Sequence, residues 1–305
     1  MLTVSNYHYI RTEFNTKFPS IFGVTPDVFK KQLLLLKDKG DFIRSRDLVV
    51  NVDEILNSNS NYFLITFDDG LKEQYQLALP ILDELEVPVI LFANSKNSEE
   101  KKVSTVHKIH LLRSIIAPSD FLQLISIDLN SAVSNEDTIK SKQTYPFDDT
   151  ATALLKYLLN FKMDFNLQEQ LITSIFKNYF EEEHVFEQLY MSDAELMEVG
   201  RKGFLGSHTH THYPIGLLNE NQMRFELEHS KKYLEQLTGS AIETVAYPYG
   251  TPEACTLEVA KMAESVGYKI GFTTTSGTNS IHQNRLLLNR FDCNDRPGGK
   301  NYNEL

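Results

Sequence analysis

The sequence has 305 residues, 41% of them hydrophobic and 11% aromatic, and a formal net charge of −11. This composition is typical of a folded globular protein, and the length suits either one α/β barrel of about 250 residues with an insertion or two domains. The acidic balance and the absence of a basic patch in the sequence argue against nucleic acid and against an anionic membrane surface as partners.

The N-terminal segment and the cysteines bear on the cellular compartment. Residues 1–8 contain no basic region followed by a long apolar stretch, so no signal peptide is visible. No run in the sequence approaches the roughly 18 apolar residues of a membrane span. Cys255 and Cys293 lack the spacing of a metal site, so two free thiols are expected, with a disulfide as the alternative. We therefore predict a cytoplasmic protein without an integral membrane segment.

Short apolar strands alternate with helical patterns in the first 95 residues, which is typical of βα units in a parallel sheet or barrel. The first helix has clear end signals, with Thr25 as its cap, Pro26 at its first position and Gly40 as its stop. The other elements predicted in this region are strands at residues 2–7, 62–67 and 89–92 and a helix from about residue 72 to residue 85.

The pattern changes between about residues 97 and 190, where the chain is charged and mostly helical and shows no convincing buried strand. We interpret this stretch as a helical insertion or lid between two barrel strands. The α/β alternation resumes at Ser192, which forms a capping-box pattern with Glu195. The elements predicted after it are strands at residues 204–206, 244–247, 268–273 and 286–291 and helices at about 219–237 and 253–266.

Two adjacent carboxylates, Asp68 and Asp69, follow the predicted strand at residues 62–67. Their burial is costly because each loses hydration and they repel each other, but a metal can take one while chemistry uses the other. The alternative is a solvated turn in which one Asp caps the next helix. A second Phe-Asp-Asp sequence, at residues 147–149, follows a proline in a polar region, and we predict a plain turn there.

Three histidines alternate after the predicted strand at residues 204–206: His208, His210 and His212. The spacing of four presents His208 and His212 to one point, and His210 should face elsewhere. One Asp and two His suit zinc or a similar divalent ion with open coordination positions. The carboxyl ends of barrel strands lie at one rim, so these groups should meet there. The residues therefore predict a metal-dependent hydrolase. His107 and His110 have no nearby acidic partner and are interpreted as surface residues.

Three sequence motifs together resemble those of the polysaccharide deacetylases, the NodB-homology family or carbohydrate esterase family 4. They are residues 66–70 (Thr-Phe-Asp-Asp-Gly), residues 208–212 and residues 246–250 (Ala-Tyr-Pro-Tyr-Gly). Residues 6–10 are similar to the Tyr-His segment that opens a subgroup with rearranged motif order. The resemblance covers roughly residues 1–95 and 190–292. It implies a distorted (β/α)7 barrel, here with a helical insertion, and metal-dependent removal of an acetyl group from a sugar.

The resemblance also implies roles for individual residues. Asp69, His208 and His212 would bind one divalent ion, expected to be Zn²⁺. Asp68 would be the general base that removes a proton from the attacking water. The backbone amide near Tyr249, which follows Pro248, would help to hold the oxyanion.

Two departures from the family pattern lead to two further candidates. Ala246 stands where the family has an Arg that orients the catalytic Asp, and we expect Arg290 near the last strand to replace it, an ordinary surface Arg being the alternative. The family's C-terminal Leu-x-His motif, which supplies the general acid, is also missing. The Tyr-His subgroup uses its N-terminal His instead, which corresponds to His8. A structural role at the strand end is the alternative for His8.

We therefore predict a hydrolase that removes an N-acetyl group from an amino sugar or glycan, with a carbohydrate as its partner. One alternative is hydrolysis of another C–N bond, such as a cyclic amide or a formyl group, on the same barrel. A second alternative is a non-catalytic carbohydrate-binding relic, which only Ala246 favours. No sequence feature indicates an oligomeric state.

Overall fold

The computed structural model describes residues 1–129 and 133–302. Most of its strands are short, and helices separate many of them along the chain. The strands are β1 (Leu2–Tyr7), β2 (Tyr9–Ile10), β3 (Gly23–Val24), β4 (Asp41–Phe42), β5 (Tyr62–Phe67), β6 (Val89–Ala93), β7 (Leu205–Ser207), β8 (Thr244–Ala246), β9 (Ile270–Phe272) and β10 (Phe291–Asp292).

The helices fall before, between and after these strands. They are α1 (Pro26–Lys37), α2 (Ser45–Asn57), α3 (Leu79–Leu85), α4 (Ser95–Glu100), α5 (Thr105–Ile115), α6 (Pro118–Leu129), α7 (Asn135–Thr144), α8 (Thr150–Tyr157), α9 (Phe165–Phe176), α10 (Glu182–Leu189), α11 (Asp193–Arg201), α12 (Glu220–Thr238) and α13 (Leu257–Val266). Among the helices of the described ranges, none combines the length and the apolar character that a membrane crossing requires.

The main sheet is parallel and curls into a barrel. Its strands lie in the order β10-β1-β5-β6-β7-β8-β9, and β4 pairs with β5 beside this path. Leu288, shortly before β10, forms a parallel bridge with Phe272 of β9, so the segment that precedes β10 links the two ends of the sheet. The predicted fold class, an α/β fold with a distorted (β/α)7 barrel, is confirmed.

Residues of β5 alternate between two hydrophobic clusters, as the two-residue period of a strand requires. Phe63, Ile65 and Phe67 belong to the cluster shared with α1, α3 and α12, whereas Leu64 belongs to a second cluster. The second cluster contains residues from one face of the sheet, in β1, β5, β6, β8 and β9, and residues from α2. Thr66 lies on the same face as Leu64, so this face changes from apolar to polar towards the carboxyl end of β5.

Several predicted element ends are wrong, and the end of the first helix is an example. The Thr25 hydroxyl caps α1 by accepting a hydrogen bond from Val28 N at 3.3 Å, as predicted. The helix ends at Lys37 with Asp38 as its C-cap, so Gly40 is not the stop. Gly40 instead lies against Asn61, where a Cβ atom would approach the carbonyl oxygen to 2.2 Å. The glycine is needed for a close backbone contact, which the sequence pattern cannot distinguish from a helix stop.

Three other predicted ranges also differ from the structure. The helix predicted at residues 72–85 begins as a π-helical segment, Gln74–Ala78, and continues as α3, where Pro80 lies at the N-terminus and lacks an N–H to donate. The helix predicted from residue 253 begins only at Leu257, because Thr256 is its N-cap. The strand predicted at residues 286–291 is reduced to the Leu288 bridge and β10.

The described residues divide into two compact units. The barrel unit comprises Met1–Glu13, Gly23–Lys102 and the chain from Phe186 onward, and the helical unit comprises Phe14–Phe22 and Val103–Val185. The helical unit has its own hydrophobic core, supplied mainly by α5, α6, α8 and α9. Its interpretation as an insertion or lid at about residues 97–190 stays a prediction.

Candidate active site

The carboxyl ends of neighbouring barrel strands bring the predicted site residues together. Tyr7 at the end of β1 pairs with Phe67 at the end of β5, so His8 and Asp68 follow side by side. Ala93 of β6 pairs with Ser207 of β7, and His208 is the next residue. The parallel register therefore places side chains from distant parts of the sequence at one rim.

Asp69, His208 and His212 form a compact set of metal-ligating atoms. Asp69 Oδ1 lies 3.5 Å from His208 Nε2 and 3.3 Å from His212 Nε2. Ligands about 2.0–2.1 Å from a tetrahedral Zn²⁺ are roughly 3.3 Å apart, so both distances match the edge of such a site. All three side chains are buried, and their ligand atoms lie within 4.8 Å of one another. The residues thus fit one divalent ion.

The environment of His208 prepares its ring for metal binding. Its Nδ1 donates a hydrogen bond to the carbonyl oxygen of Ala246 at 2.7 Å, since a carbonyl can only accept. This bond leaves the Nε2 lone pair directed away from the Ala246 carbonyl and available as a ligand. Burial is the largest influence on the ring and lowers the pKa of His208 to about 4, although Asp68 and Asp69 act in the opposite direction. The imidazole is therefore neutral at pH 7, as a ligand must be.

Backbone strain is concentrated at this rim. Asp69, Thr209, His212 and Tyr249 have positive φ angles of 79°, 65°, 66° and 62°. Such conformations are uncommon for residues other than glycine, persist only where the surrounding contacts enforce them, and are enriched at functional sites. The conformation of the rim is therefore imposed by tertiary contacts.

One carboxylate, Glu226 of α12, holds the histidine loop at residues 208–212. Its Oε2 accepts hydrogen bonds from the backbone N–H groups of His210 at 3.0 Å and Thr211 at 2.8 Å. Its Oε1 accepts a bond from the Thr211 hydroxyl at 2.6 Å. From α4, the backbone N–H of Ser95 donates to the carbonyl oxygen of Thr209 at 3.2 Å. Sequence reasoning missed Glu226, because no local pattern separates it from the other glutamates of α12.

Asp68 forms a buried, bidentate ion pair with Arg290. Arg290 Nη1 donates to Asp68 Oδ1 and Nη2 donates to Oδ2, both at 2.8 Å. Burial raises the pKa of the Asp68 carboxyl, but the Arg290 guanidinium, with His208 and hydrogen bonds, outweighs burial and lowers the pKa to about 2. The structure thus places Arg290, predicted as the substitute for the Arg missing at Ala246, directly on the carboxylate that needs an orienting partner.

Sequence reasoning missed two polar residues that complete the surroundings of Asp68. Asn6 donates from Nδ2 to Asp68 Oδ2 at 3.1 Å and accepts from Arg290 Nη1 at 2.9 Å. Gln74 donates from Nε2 to the Asp68 carbonyl at 2.6 Å and to the His8 carbonyl at 3.0 Å. One feature of the sequence indicated that Asn6 belongs to the site, since it lies close to His8 near the end of a predicted strand. No sequence pattern indicated Gln74.

His8 is the most open of the predicted catalytic side chains around Asp68. Its Nε2 lies 3.7 Å from Asp68 Oδ2, and 35% of its side chain is exposed, against 2% for Asp68. The ring can therefore contact both the buried carboxylate and a molecule that enters from solvent.

The segment after β8 lies on the other side of the ligand set. The rings of Tyr249 and His212 are 5.5 Å apart, and the Tyr249 side chain is 38% exposed. The Tyr249 carbonyl accepts a hydrogen bond from the Thr274 hydroxyl at 2.9 Å, and Pro248 is buried. Of the two predicted oxyanion residues, Tyr249 is therefore adjacent to the histidine ligand His212.

The second Phe-Asp-Asp sequence has a local structural role. Asp149 is the N-cap of α8 and accepts a hydrogen bond from Thr152 N at 3.0 Å, while Asp148 pairs with Lys156 at 2.6 Å. The interpretation of both His107 and His110 as surface residues is wrong, because His107 is fully buried in the helical unit. It lies on the buried face of α5, next to Lys108 and Ile109.

Comparison with known proteins agrees with this geometry. The family model described as polysaccharide deacetylase matches residues 146–271. A curated Bacillus subtilis (strain 168) protein, YxkH, which is provisionally named a polysaccharide deacetylase, is 29% identical over 102 residues, 33% of this chain and 36% of that protein. Residues 146–271 of the chain are thus similar to the polysaccharide deacetylase family. The match spans only about a third of the length of YxkH.

Solved structures of deacetylases share the fold of this chain. The Streptococcus pyogenes deacetylase PplD in complex with acetate aligns with a TM-score of 0.59 at 17% identity, over 95% of this chain and 91% of that one. IcaB from Ammonifex degensii aligns with a TM-score of 0.58 at 16% identity, over 95% and 90% of the two chains. At these identities the similarity establishes the fold alone.

The range that matches the family model begins at residue 146, beside the second Phe-Asp-Asp sequence, and does not include Asp68 or Asp69. It does include His208, His212 and Ala246. The contacts of Asp68 and Asp69 with Arg290 and the two histidines are therefore observations of the structure, independent of that match.

Proposed function

We propose that this chain is a metal-dependent hydrolase that removes the N-acetyl group from an amino sugar or glycan. One observation carries the proposal: a buried Asp-His-His ligand set lies directly beside a carboxylate that an Arg orients. A structural metal site needs no neighbouring carboxylate of this kind, whereas hydrolysis needs a group that manages the proton of water.

Asp69, His208 and His212 would hold the ion, and Zn²⁺ suits this donor set. When bound, such an ion supplies Lewis-acid chemistry, because it polarises a carbonyl group and acidifies a water molecule. The protein side chains then have to fix the geometry and move the protons.

In this proposal Asp68 takes a proton from the attacking water. Its low pKa, about 2, keeps it ionised at neutral pH but also makes it a poor resting place for a proton. We infer that the proton continues to His8, whose Nε2 is 3.7 Å from the same carboxylate. Its partial exposure allows His8 to pass the proton to the leaving amine.

The reaction balances without any further reactant. Water adds to the acetyl carbonyl carbon, the C–N bond breaks, and the products are a sugar amine and acetic acid, which ionises to acetate and releases its proton to the solvent or to the amine. The proton that water loses is the one that the amine nitrogen gains through Asp68 and His8. The backbone N–H near Tyr249 would share the negative charge that develops on the carbonyl oxygen.

The Asp68–Arg290 pair supports an active enzyme over a carbohydrate-binding relic. Ala246 favours the relic only because it replaces the family's Arg, which orients the catalytic Asp. Arg290 makes a bidentate contact with Asp68 and also bonds the Asn6 and Thr273 oxygens, at 2.9 and 2.8 Å. Arg290 thus supplies the orienting contact that Ala246 cannot, and Ala246 no longer favours the relic.

Acetate release from purified protein tests the proposal. We expect acetate from at least one member of a panel of N-acetylated amino sugars and their oligosaccharides, loss of that activity with a chelator, and recovery with Zn²⁺. N-formyl sugars and cyclic amides in the same panel test the alternative C–N substrates. Zinc-loaded protein that binds an N-acetyl sugar but never releases acetate would show that the relic interpretation is correct.

A further inference from the structure

We propose that Glu99, His210 and His229 form a second divalent-cation site in the barrel unit, separate from the Asp69 site. The three residues come from α4, the histidine loop and α12. Their ligand atoms lie within 4.8 Å of one another, and among the described residues only this set and the Asp69 set meet that criterion. Two imidazoles and one carboxylate are a donor set that Zn²⁺ accepts, with one position left for water.

The distances around Glu99 are close to those of a metal site. Glu99 Oε2 is 2.7 Å from His229 Nε2 and 3.9 Å from His210 Nδ1. A tetrahedral Zn²⁺ with N and O ligands needs these atoms roughly 3.3 Å apart. The Glu99–His229 distance must therefore lengthen and the Glu99–His210 distance must shorten, each by about 0.6 Å. The side chains of Glu99 and His229 are 36% and 34% exposed, so both have room for this adjustment.

Packing already fixes the two imidazole rings relative to each other. The rings of His210 and His229 are 4.5 Å apart at 74°, an edge-to-face arrangement. Phe225, one helical turn before His229 on α12, stacks on the His229 ring at 4.8 Å and meets the edge of the His210 ring at 5.4 Å. Binding would therefore require little ordering of either ligand, which favours affinity.

His210 Nδ1 already has a polar partner in the barrel unit. The Ser95 hydroxyl lies 2.8 Å from His210 Nδ1, and a bound cation would replace this hydrogen bond.

The position of His210 suggests what such an ion would do. His210 lies between His208 and His212, and its backbone is held by Glu226 on one side and by Lys96 N on the other. A cation at Glu99, His210 and His229 would add a third link, which ties α4 and α12 to the loop that carries the other two histidines. We assign it a structural role, with no contact to the reacting atoms.

Zinc stoichiometry of the full chain tests this inference without any substrate, so its outcome is independent of the proposed hydrolase activity. Chelator-stripped protein is titrated with Zn²⁺ alone and analysed by calorimetry and by metal content after gel filtration. We expect two equivalents for the wild type and for His282→Ala, an exposed-histidine control. We expect one equivalent for Glu99→Gln, for His229→Ala and for His212→Ala, and none for the double variant Glu99→Gln/His212→Ala.

Glu99→Gln keeps a hydrogen-bond acceptor for His229 and lies at an exposed position, so it tests the site even where His229→Ala disturbs α12. Circular dichroism verifies the fold of each variant. Co²⁺ gives a second readout, since wild type should show two sets of visible absorption bands and Glu99→Gln one. A single equivalent in the wild type, or two in folded Glu99→Gln, would overturn the second site and leave an ordinary hydrogen bond between His229 and Glu99.

Discussion

The two Phe-Asp-Asp sequences of this chain have the same three letters and opposite environments. In the barrel unit, Asp68 and Asp69 follow a strand that is buried from Phe63 onward, and they are themselves 1% and 4% exposed. In the helical unit, Asp148 and Asp149 precede a helix, where one pairs with Lys156 and the other caps α8. The first pair needs distant residues to neutralise or bind it, whereas the second needs only its own next helix.

The free-energy cost of burying a carboxylate therefore indicates function better than the three-residue motif does. A solvated acid keeps its hydration and needs no partner, but a buried acid must be paired, bound to a metal or protonated. Equivalent substitutions at the two sequences should therefore have unequal effects. Three paired comparisons between the two sequences test this, and a fourth measures the helix cap of the second sequence, in order of decreasing effect.

Asp69→Asn should have the largest effect, because it removes the carboxylate from the proposed metal site. Asn tolerates the positive φ of this position, so the loop should keep its conformation. We expect loss of one equivalent of bound Zn²⁺ and of acetate release. Asp149→Asn is the matched control, and it should retain both since Asn caps helices as well as Asp does. Metal content and acetate assays measure the pair, and equal zinc content in the two variants would contradict the assignment.

Asp68→Asn should bind the metal but lose most of its turnover. General acid–base groups contribute typically about 10²–10⁴-fold, so kcat should fall by that factor. Asp148→Asn changes the same atoms at the other sequence and should leave kcat unchanged. Full turnover in zinc-loaded Asp68→Asn would remove Asp68 from the mechanism.

Arg290→Met should lower the stability of the fold as well as the enzymatic activity. Removing one partner of a buried ion pair leaves an uncompensated charge and costs about 3–5 kcal/mol. Lys156→Met breaks the Asp148 pair, which is 28% and 26% exposed, and should cost only about 0–1 kcal/mol. Urea unfolding midpoints compare the two variants.

The pH dependence of the Arg290→Met effect has a defined sign. The pKa of Asp68 is depressed in the folded protein, to about 2, so the pair stabilises the fold above the unfolded-state pKa of about 3.9. That contribution disappears as pH falls towards 2. The difference between wild type and Arg290→Met should therefore shrink between pH 5 and pH 3, and a difference that grows on acidification would contradict the pairing.

Asp149→Ala should have the smallest effect. It removes the hydrogen bond from Thr152 N to the Asp149 side chain at the start of α8 and should cost about 1 kcal/mol in the free energy of unfolding. Asp149→Asn should differ from wild type by only a few tenths of a kcal/mol, since it keeps an acceptor. Thermal unfolding measures both. A loss of acetate release in Asp149→Ala would show that the second sequence does more than cap a helix.

Features with a local physical cause could be predicted from the sequence. The strands at residues 2–7 and 62–67 follow from apolar runs, and the start of α1 follows from the Thr25 cap and Pro26. The Asp68–Asp69 pair was visible because burial of two acids is costly wherever it occurs. The barrel followed from the alternation of strands and helices and from the family resemblance.

The features that could not be predicted from the sequence depend on contacts between distant residues. Glu226 clamps a loop 15 residues earlier in the chain, and nothing near it in the sequence indicates that. Residues 14–22 belong to the helical unit together with residues from 103 onward, a connection that no local pattern shows. The burial of His107 and the role of Gly40 likewise result from packing partners elsewhere in their units.

The ion pair between Asp68 and Arg290 also has a consequence for synthesis, since its partners are separated by 222 residues. At about 5–20 residues per second, a ribosome needs roughly 10–45 s to make the chain between them. During this time Asp68 has no guanidinium beside it, so we expect the end of β5 to stay hydrated and the barrel to remain open. Native closure must then be a late event that waits for the strand after Arg290, and nascent chains halted before residue 290 should be cleaved readily by proteases.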